Sequence, residues 1–305
     1  MSHSSSDQYI AVWRSLIDRL EGAYAPSTMR AYYCDVQAFV DWCVENSFCA
    51  FPASPQAIVK FLEHQATTRS VSTIKRRLYG IRKAYELLEL SDPTTKIEVK
   101  LAMRRIRRGK FERSLQAEGL TEEYLASFLA SQPQTPWGLR NKTMISLGYD
   151  LLARRSELIA LKTSDLSTRQ DGSMQAIIRR SKSDPYGRGR TAFCSKRSTI
   201  LVTEWLDWRG RHIEYLFCPI YQGKALDRSL SATTVKSVVK SAALLAGLDP
   251  WLARNFSGHS MRVGAAQDLF RKGVRTSAIM RAGGWSSRAI LDRYLEKAEH
   301  NVWLE

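Results

Sequence analysis

Apolar residues recur at helical spacing through the first third of the chain, and this pattern limits that part to a bundle of helices. The first such stretch runs from Ile10 to Leu20. A second begins near Ser27, which we expect to be its N-cap. A third opens on Ser54 and Pro55, an N-cap followed by a proline in the first helical position. We therefore predict a mainly α-helical protein that begins with a helical bundle.

The fourth helical segment, from about Ser72 to Leu90, has two unlike faces. One face is apolar, and the other carries only bases in its first three turns: Lys75, Arg76, Arg82 and Lys83. A charged face that meets only solvent usually mixes both signs, so we favour a face that binds a polyanion. Further bases follow within residues 100–113, among them Arg104, Arg105, Arg107 and Arg108. We expect these eight side chains to contact DNA.

The whole chain is strongly basic, with a net charge of +16 and a pI near 9.8. Residues 1–115 hold 18 lysines and arginines against 12 acids, and residues 116–305 hold 28 against 18. A basic tail would concentrate this excess at one end. An excess of bases in both halves favours a protein that binds nucleic acid through both halves of the chain.

Other features of the sequence exclude several classes of protein. The N-terminus lacks the apolar core of a signal peptide, and no apolar run is long enough to span a membrane, so we expect a cytoplasmic protein. The five cysteines are odd in number and never spaced as Cys-x-x-Cys, which favours buried, reduced thiols. Neither a phosphate-binding glycine loop nor a metal-ligand spacing is present, so we expect no cofactor and no metal.

The helical periodicity lapses near residue 113 and resumes near Thr121, which we expect to cap a new helix. We predict an N-terminal domain over 1–113, a linker over 114–120 and a C-terminal domain over 121–305. In the second domain, helical patterns flank two strand-like runs, 173–180 and 190–194, with glycines between them. This order predicts an α+β domain with a small β-sheet.

Several side chains in the C-terminal domain suit attack on a phosphodiester. A tyrosine can replace a phosphate oxygen if permanent cations hold the phosphate and a base takes the phenol proton. Within a short C-terminal span the chain supplies all of these groups: His259, Arg262, Trp285 and Tyr294. Upstream lie Arg154, Glu157 and Lys182. Each of these residues alone has an ordinary structural explanation, but their combination favours a catalytic site.

In their order along the chain, these residues resemble the active-site set of the tyrosine recombinases, the phage integrase family. The segment from Ser257 to Ala266, then Gly283-Gly284-Trp285, then a tyrosine nine residues later, is similar to the Cre branch. Xer-type members usually carry a second histidine in place of this tryptophan. The resemblance implies an N-terminal core-binding domain, a SAM-like helical bundle, and a C-terminal catalytic domain.

The resemblance also implies roles for the residues that contact the phosphate. Tyr294 would form a 3′-phosphotyrosyl bond and free a 5′-hydroxyl. Arg154 and Arg262 would hold the non-bridging oxygens as negative charge develops, and Trp285 would donate its indole N–H to the same phosphate.

The remaining roles concern protons and orientation. By the same resemblance, His259 would assist removal of the phenol proton, and Lys182 would protonate the leaving 5′-oxygen. Glu157 would orient its neighbours, or would instead be an ordinary charge on a helix face. Arg155 competes with Arg154 for the inward position, and the spacing to Glu157 favours Arg154.

Strand exchange between two duplexes needs four active sites, so the resemblance implies a homotetramer on DNA. The exchange would pass through a Holliday junction. Without DNA, we expect a monomer. We expect double-stranded DNA with a short inverted-repeat site, with an accessory protein possible for directionality. The apolar tail Val302-Trp303-Leu304 would pack in its own domain or against a neighbour. Two alternatives stay open: a type IB topoisomerase-like nicking-closing enzyme, and a catalytically silent DNA-binding regulator.

Overall fold

The computed structural model describes residues 3–110, 116–179, 187 and 189–298. The chain forms two compact units, Met1–Ser114 and Leu115–Glu305. Both are dominated by helices, and the second also holds a small antiparallel sheet, which confirms the predicted fold class. Within the described ranges, no helix combines the length and apolarity that a membrane span requires.

The N-terminal unit is a helical bundle. Its helices are α1 (His3–Ile17), α2 (Pro26–Glu45), α3 (Pro55–Thr68), α4 (Val71–Leu87) and α5 (Ile97–Gly109). Short 3₁₀ turns follow α1 and precede α5, at Asp18–Leu20 and Pro93–Thr95. Ser54 caps α3 as predicted, since its hydroxyl accepts from the Ala57 N–H. The prediction for α2 was wrong by two residues, because Pro26 occupies the first helical position and Ala25 is the N-cap.

Aromatic side chains fill the core of this unit. Trp13, Phe39, Phe61 and Tyr85 are fully buried or nearly so. The Tyr85 hydroxyl donates to the carbonyl of Ala50 at 2.9 Å, so its one polar atom is satisfied inside the core. The bundle therefore has an apolar interior of its own and leaves the basic faces of α4 and α5 outside it.

The C-terminal unit contains nine helices and five strands among its described residues. The helices are α6 (Glu122–Ala130), α7 (Pro136–Asp150), α8 (Arg155–Ala160), α9 (Lys196–Arg209), α10 (Ala232–Leu245), α11 (Pro250–Ala253), α12 (Ser260–Arg271), α13 (Thr276–Gly283) and α14 (Arg288–Leu295). The strands are β1 (Leu166–Thr168), β2 (Met174–Ile178), β3 (Arg190–Phe193), β4 (Ile220–Tyr221) and β5 (Lys224–Ala225).

The predicted hairpin is the pair β2 and β3, which run antiparallel with Ala176 opposite Ala192. Strand β1 joins the other edge of β2, giving the order β1-β2-β3. Gly189 adopts a φ of +70°, a conformation that side chains disfavour, just before β3 begins. Lys182 lies outside the described residues.

Helix α12 runs through the centre of the C-terminal unit, and nearly all of its side chains are buried. Gly264 lets the segment before α6 approach, because a Cβ there would lie 1.9 Å from the Leu120 carbonyl oxygen. Leu120, inside the predicted linker, is buried in the core of this unit. Thr121 is the N-cap residue of α6 as predicted, but the described structure shows no capping hydrogen bond from its side chain, and Asp268 of α12 instead accepts from the Glu122 N–H at 2.7 Å.

Candidate active site

Arg154 and Glu157 form a tight pair at the start of α8. Arg154 stands at the N-cap, and the Glu157 carboxylate accepts from its main-chain N–H at 3.1 Å and from its guanidinium. The Glu157 side chain is only 1% exposed, so this buried charge depends on its arginine partners. Arg155 is exposed to solvent. The structure therefore places Arg154, not its neighbour, beside the glutamate.

Arg262 lies in the first turn of α12, and its side chain is completely buried. Its Nη1 donates to the carbonyl of Leu152, whereas its Nε and Nη2 have no hydrogen-bond partner among the described residues. Burial, together with the charge of Arg154, lowers the pKa of Arg262 to about 10, so it is still a cation at neutral pH. A buried cation with two unused donors is a strong site for an anion.

Trp285 covers this arginine. Its ring centroid lies 3.8 Å from the Arg262 guanidinium carbon, and its buried Nε1 has no acceptor in the described part of the chain. Two glycines make the position possible. A Cβ on Gly283 would lie 1.9 Å from the indole, and Gly284 ends α13 in the left-handed conformation, with φ of +65°. The Gly-Gly-Trp sequence therefore both ends α13 in a turn and leaves the space that the indole ring occupies.

Tyr294, on α14, meets His259 at the N-terminus of α12. The hydroxyl of Tyr294 and Nε2 of His259 share a hydrogen bond, and the Trp285 ring packs edge-on against the tyrosine at 5.2 Å. Burial, then the charges of Arg262 and other nearby arginines, lowers the pKa of His259 to about 4. The imidazole is therefore neutral at pH 7. With its proton on Nδ1, it can accept the phenol proton at Nε2.

Two residues that the sequence analysis did not identify support this arrangement through hydrogen bonds to the site residues. Gln267, only 3% exposed on α12, donates from Nε2 to the Tyr294 carbonyl at 3.1 Å. Arg190, the first residue of β3, donates to the Glu157 carboxylate at 3.3 Å. Neither residue belongs to a motif, and only the folded chain brings them to the site. Gln267 carries no distinguishing signal in the sequence, because the charged Asp268 follows it directly in the same helix.

The side chains predicted to contact DNA differ in their surroundings. The four arginines of α5 and Lys75 are exposed. Arg76 makes a two-point ion pair at 2.8 Å with Asp35, which is 1% exposed. Lys83 pairs with Glu86 at 2.6 Å, and Arg82 lies 3.3 Å from Asp92. Part of the basic face of α4 therefore binds acids of its own unit, whereas the exposed face of α5 carries the denser group of cations.

The comparisons with known proteins agree on one family. Residues 118–301 match the phage integrase family. The integrase/recombinase xerD homolog of Selenomonas ruminantium is 32% identical over 294 residues, 92% of this chain and 84% of that protein. Recombinase cre of Escherichia phage P1 is 28% identical over 308 residues, 94% of this chain and 90% of that protein. The predicted likeness to Cre is thus supported, although the xerD homolog is more similar.

Solved structures show the same fold at low sequence identity. XerH site-specific recombinase bound to difH substrate matches with a TM-score of 0.67 and 17% identity, over 97% of this chain and 80% of that one. A lambda integrase dimer bound to a COC′ core site matches with a TM-score of 0.65 and 15% identity, over 97% of both chains. The chain therefore belongs to the phage integrase family, the tyrosine recombinases, which cleave and rejoin DNA strands.

Proposed function

We propose that this protein cuts and rejoins specific DNA sites with Tyr294 as its nucleophile. The bond between the tyrosine oxygen and phosphorus forms as the bond to the 5′-oxygen breaks, which leaves a 3′-phosphotyrosyl ester and a free 5′-hydroxyl. The observation that carries the proposal is a group of buried donors on Arg262 and Trp285 that have no acceptor among the described residues, directly beside the hydrogen-bonded pair of Tyr294 and His259.

The unused donors indicate what the site binds. Leaving buried N–H groups without acceptors costs free energy, on the order of 1–3 kcal/mol for each group. A phosphate would satisfy the Nε and Nη2 of Arg262 and the Nε1 of Trp285 together. Because these donors are fixed by packing, they need little reorganisation as negative charge grows in the transition state. Arg154, held by Glu157, would add a second permanent cation.

His259 is suited to take the proton from Tyr294. Its depressed pKa keeps the imidazole unprotonated, with Nε2 already on the phenol hydroxyl. We assign protonation of the leaving 5′-oxygen to Lys182 on its sequence position alone. The energy of the cut bond is kept in the tyrosyl ester, so rejoining needs no nucleotide. Because the arginines and the indole supply the charge stabilisation, we expect cleavage to persist in EDTA.

We further propose that the substrate is double-stranded DNA with a short inverted-repeat site. One active site cuts one strand, so exchange between two duplexes would use four protomers and a Holliday junction. We expect a monomer in the absence of DNA. If the protein forms one of the two recombination products in excess, an accessory protein could set that direction.

The test is covalent capture of DNA. Fragments of random sequence are incubated with the protein, trapped with denaturant, and sequenced from the attached end. We expect a 3′-linked adduct that Y294F abolishes while DNA binding persists. Y221F, which alters an exposed tyrosine, is the matched control and should keep the adduct. An adduct that survives in Y294F, or one attached at a 5′ end, would overturn the proposal.

A further inference from the structure

Arg190 connects three elements of the C-terminal unit. From the start of β3, its Nη2 donates to the carbonyl of Leu151 at 2.9 Å and to the Glu157 carboxylate at 3.3 Å, and its Nη1 donates to the carbonyl of Ala282. The side chain is 13% exposed. One guanidinium thus joins the end of α7, the start of α8 and the last turn of α13.

Each of these three contacts lies next to a side chain proposed to bind the phosphate. Glu157 holds the guanidinium of Arg154. Leu151 precedes Leu152, whose carbonyl accepts from Arg262. Ala282 begins the turn that places Trp285. No other described side chain contacts all three of these groups in the hydrogen-bond network.

The packing around Arg190 leaves it little freedom. A Cβ on Gly284 would lie 3.0 Å from the Arg190 Cδ and 3.2 Å from its Nε, so the glycine leaves the room that this side chain occupies. Its charge is also matched, because Glu157 lies between Arg190 and Arg154 and interacts with both. Burial lowers the pKa of Arg190, and Glu157 opposes this effect.

We propose that Arg190 is a positioning residue for cleavage: it fixes Arg154, through Glu157, and the Trp285 turn at the spacing that a phosphate requires. This inference rests on the proposed function. We assign Arg190 no contact with the phosphate: its Nη1 and Nη2 are directed to Glu157 and to two main-chain carbonyls, and its Nε, which has no acceptor among the described residues, is packed against Gly284. It acts by setting the geometry of the side chains that contact the phosphate.

The experiment measures single-turnover formation of the covalent adduct at saturating protein, together with DNA affinity and thermal unfolding. It compares wild type, R190Q and R190K. Arg209 offers a matched control, since it is also a buried arginine of this unit, only 4% exposed, that donates to main-chain carbonyls, those of Gly210 and Ile213. R209Q and R209K should lower the stability of the protein but leave the arrangement of the site residues unchanged.

We expect R190Q to slow adduct formation roughly 100-fold, the scale of a misplaced catalytic geometry, with DNA affinity changed by less than about 3-fold. R190K should recover part of the rate, because one ammonium can satisfy Glu157 but cannot reach all three acceptors. Both Arg209 variants should cleave at nearly the wild-type rate. If R190Q does not fold, the comparison of R190K with R209K decides the question in the same way.

Two results would overturn the inference. One is R190Q, or R190K where R190Q does not fold, cleaving within about 3-fold of wild type. The other is an equal loss of rate in the Arg190 and Arg209 variants, which would mark a general effect of destabilisation. Failure of the proposed function looks different, because wild type would then form no Tyr294-dependent adduct at all.

Discussion

Burial and surrounding positive charge keep the histidine next to the proposed nucleophile neutral at pH 7. His259 is largely buried, and Arg262 and Arg154 both act on its imidazole. An imidazolium there would lose its hydration and meet repulsion from both arginines. The same arginines that would bind the phosphate therefore keep the base neutral until the substrate arrives. A bound phosphate adds negative charge, so proton transfer to His259 becomes easier when the substrate is in place.

We expect the imidazole of His259 to stay neutral well below the pH at which ordinary histidines titrate. Its pKa of about 4 lies under the usual value near 6.5. In the DNA-free protein, NMR of labelled histidines from pH 8 to about 5 should show one imidazole that keeps its neutral-form shifts. Loss of that signal in H259Q assigns it. A signal assigned to His259 that titrates near 6.5 would contradict the prediction.

The same shift has a consequence for stability. The folded-state pKa of His259 is lower than the unfolded-state value, so the unfolded chain binds the proton first as the pH falls. Its contribution to stability is therefore complete above about pH 6.5 and is lost as the pH falls towards 4. Wild type should lose more stability than H259Q over that interval.

The grouping of the candidate site residues was predictable from the sequence, but the residues that support them were not. Arginine, histidine, tryptophan and tyrosine each have distinctive reactivity, and the structure brings Arg154, His259, Arg262 and Trp285 around Tyr294. Arg190 gave no such signal, because its role comes from carbonyls on segments far apart in sequence. An arginine after a glycine-rich turn looks like a surface residue until the fold buries it.

Helix α14 is a short helix that carries the proposed nucleophile, Tyr294. It has only eight residues, and Leu291 is the residue of the helix that is fully buried. Short helices have little stability of their own, so tertiary contacts must hold this one in place. Gln267 supplies such a contact when it donates to the Tyr294 carbonyl from the neighbouring α12. We infer that this hydrogen bond sets the position of the tyrosine backbone.

Replacing Gln267 should therefore slow cleavage more than it weakens DNA binding. We expect Q267A to reduce the single-turnover rate of adduct formation about 10-fold, because the tyrosine backbone loses its anchor. Q132A is the matched control. Gln132 is also buried and donates from Nε2 to a main-chain carbonyl, that of Phe128, at 3.2 Å. Equal rates in Q267A and Q132A would show that the Gln267 contact serves stability alone.

The predictability of the elements followed their length. Helices of two turns or more show their period in sequence, and the start of α3 at Ser54 and Pro55 was predicted correctly. Strand β1, the β4–β5 hairpin and α11 span two to four residues each, too few to show any period. The start of α6 was predicted correctly at Thr121, but the group that caps its first N–H, Asp268, lies far along the chain and only the fold brings it there.

The excess positive charge of the chain includes two kinds of cation: those that pair with acids of their own unit, and those that are exposed and can bind DNA. Each unit is net positive, yet some cations already have acidic partners. Arg76 binds the buried Asp35 at two points, although its own side chain is half exposed. Arg104 and Arg108 of α5 are exposed, four residues apart on one face of the helix. Arg104 and Arg108 can bind DNA phosphates and release counterions. Arg76 would first have to leave the buried carboxylate of Asp35.

Salt dependence of binding separates the two kinds of arginine. The affinity for a random-sequence duplex is measured by fluorescence anisotropy over a range of salt, and log K is plotted against log salt. We expect R104Q/R108Q to reduce the slope by about 2, one unit for each lost phosphate contact. R76Q should leave the slope unchanged and instead lower the stability of the N-terminal unit by about 1–3 kcal/mol, because Asp35 loses its closest partner. An unchanged slope in R104Q/R108Q would move the DNA-binding face away from α5. A reduced slope in R76Q would mean that Arg76 leaves the buried Asp35 carboxylate for a phosphate when the bundle binds DNA.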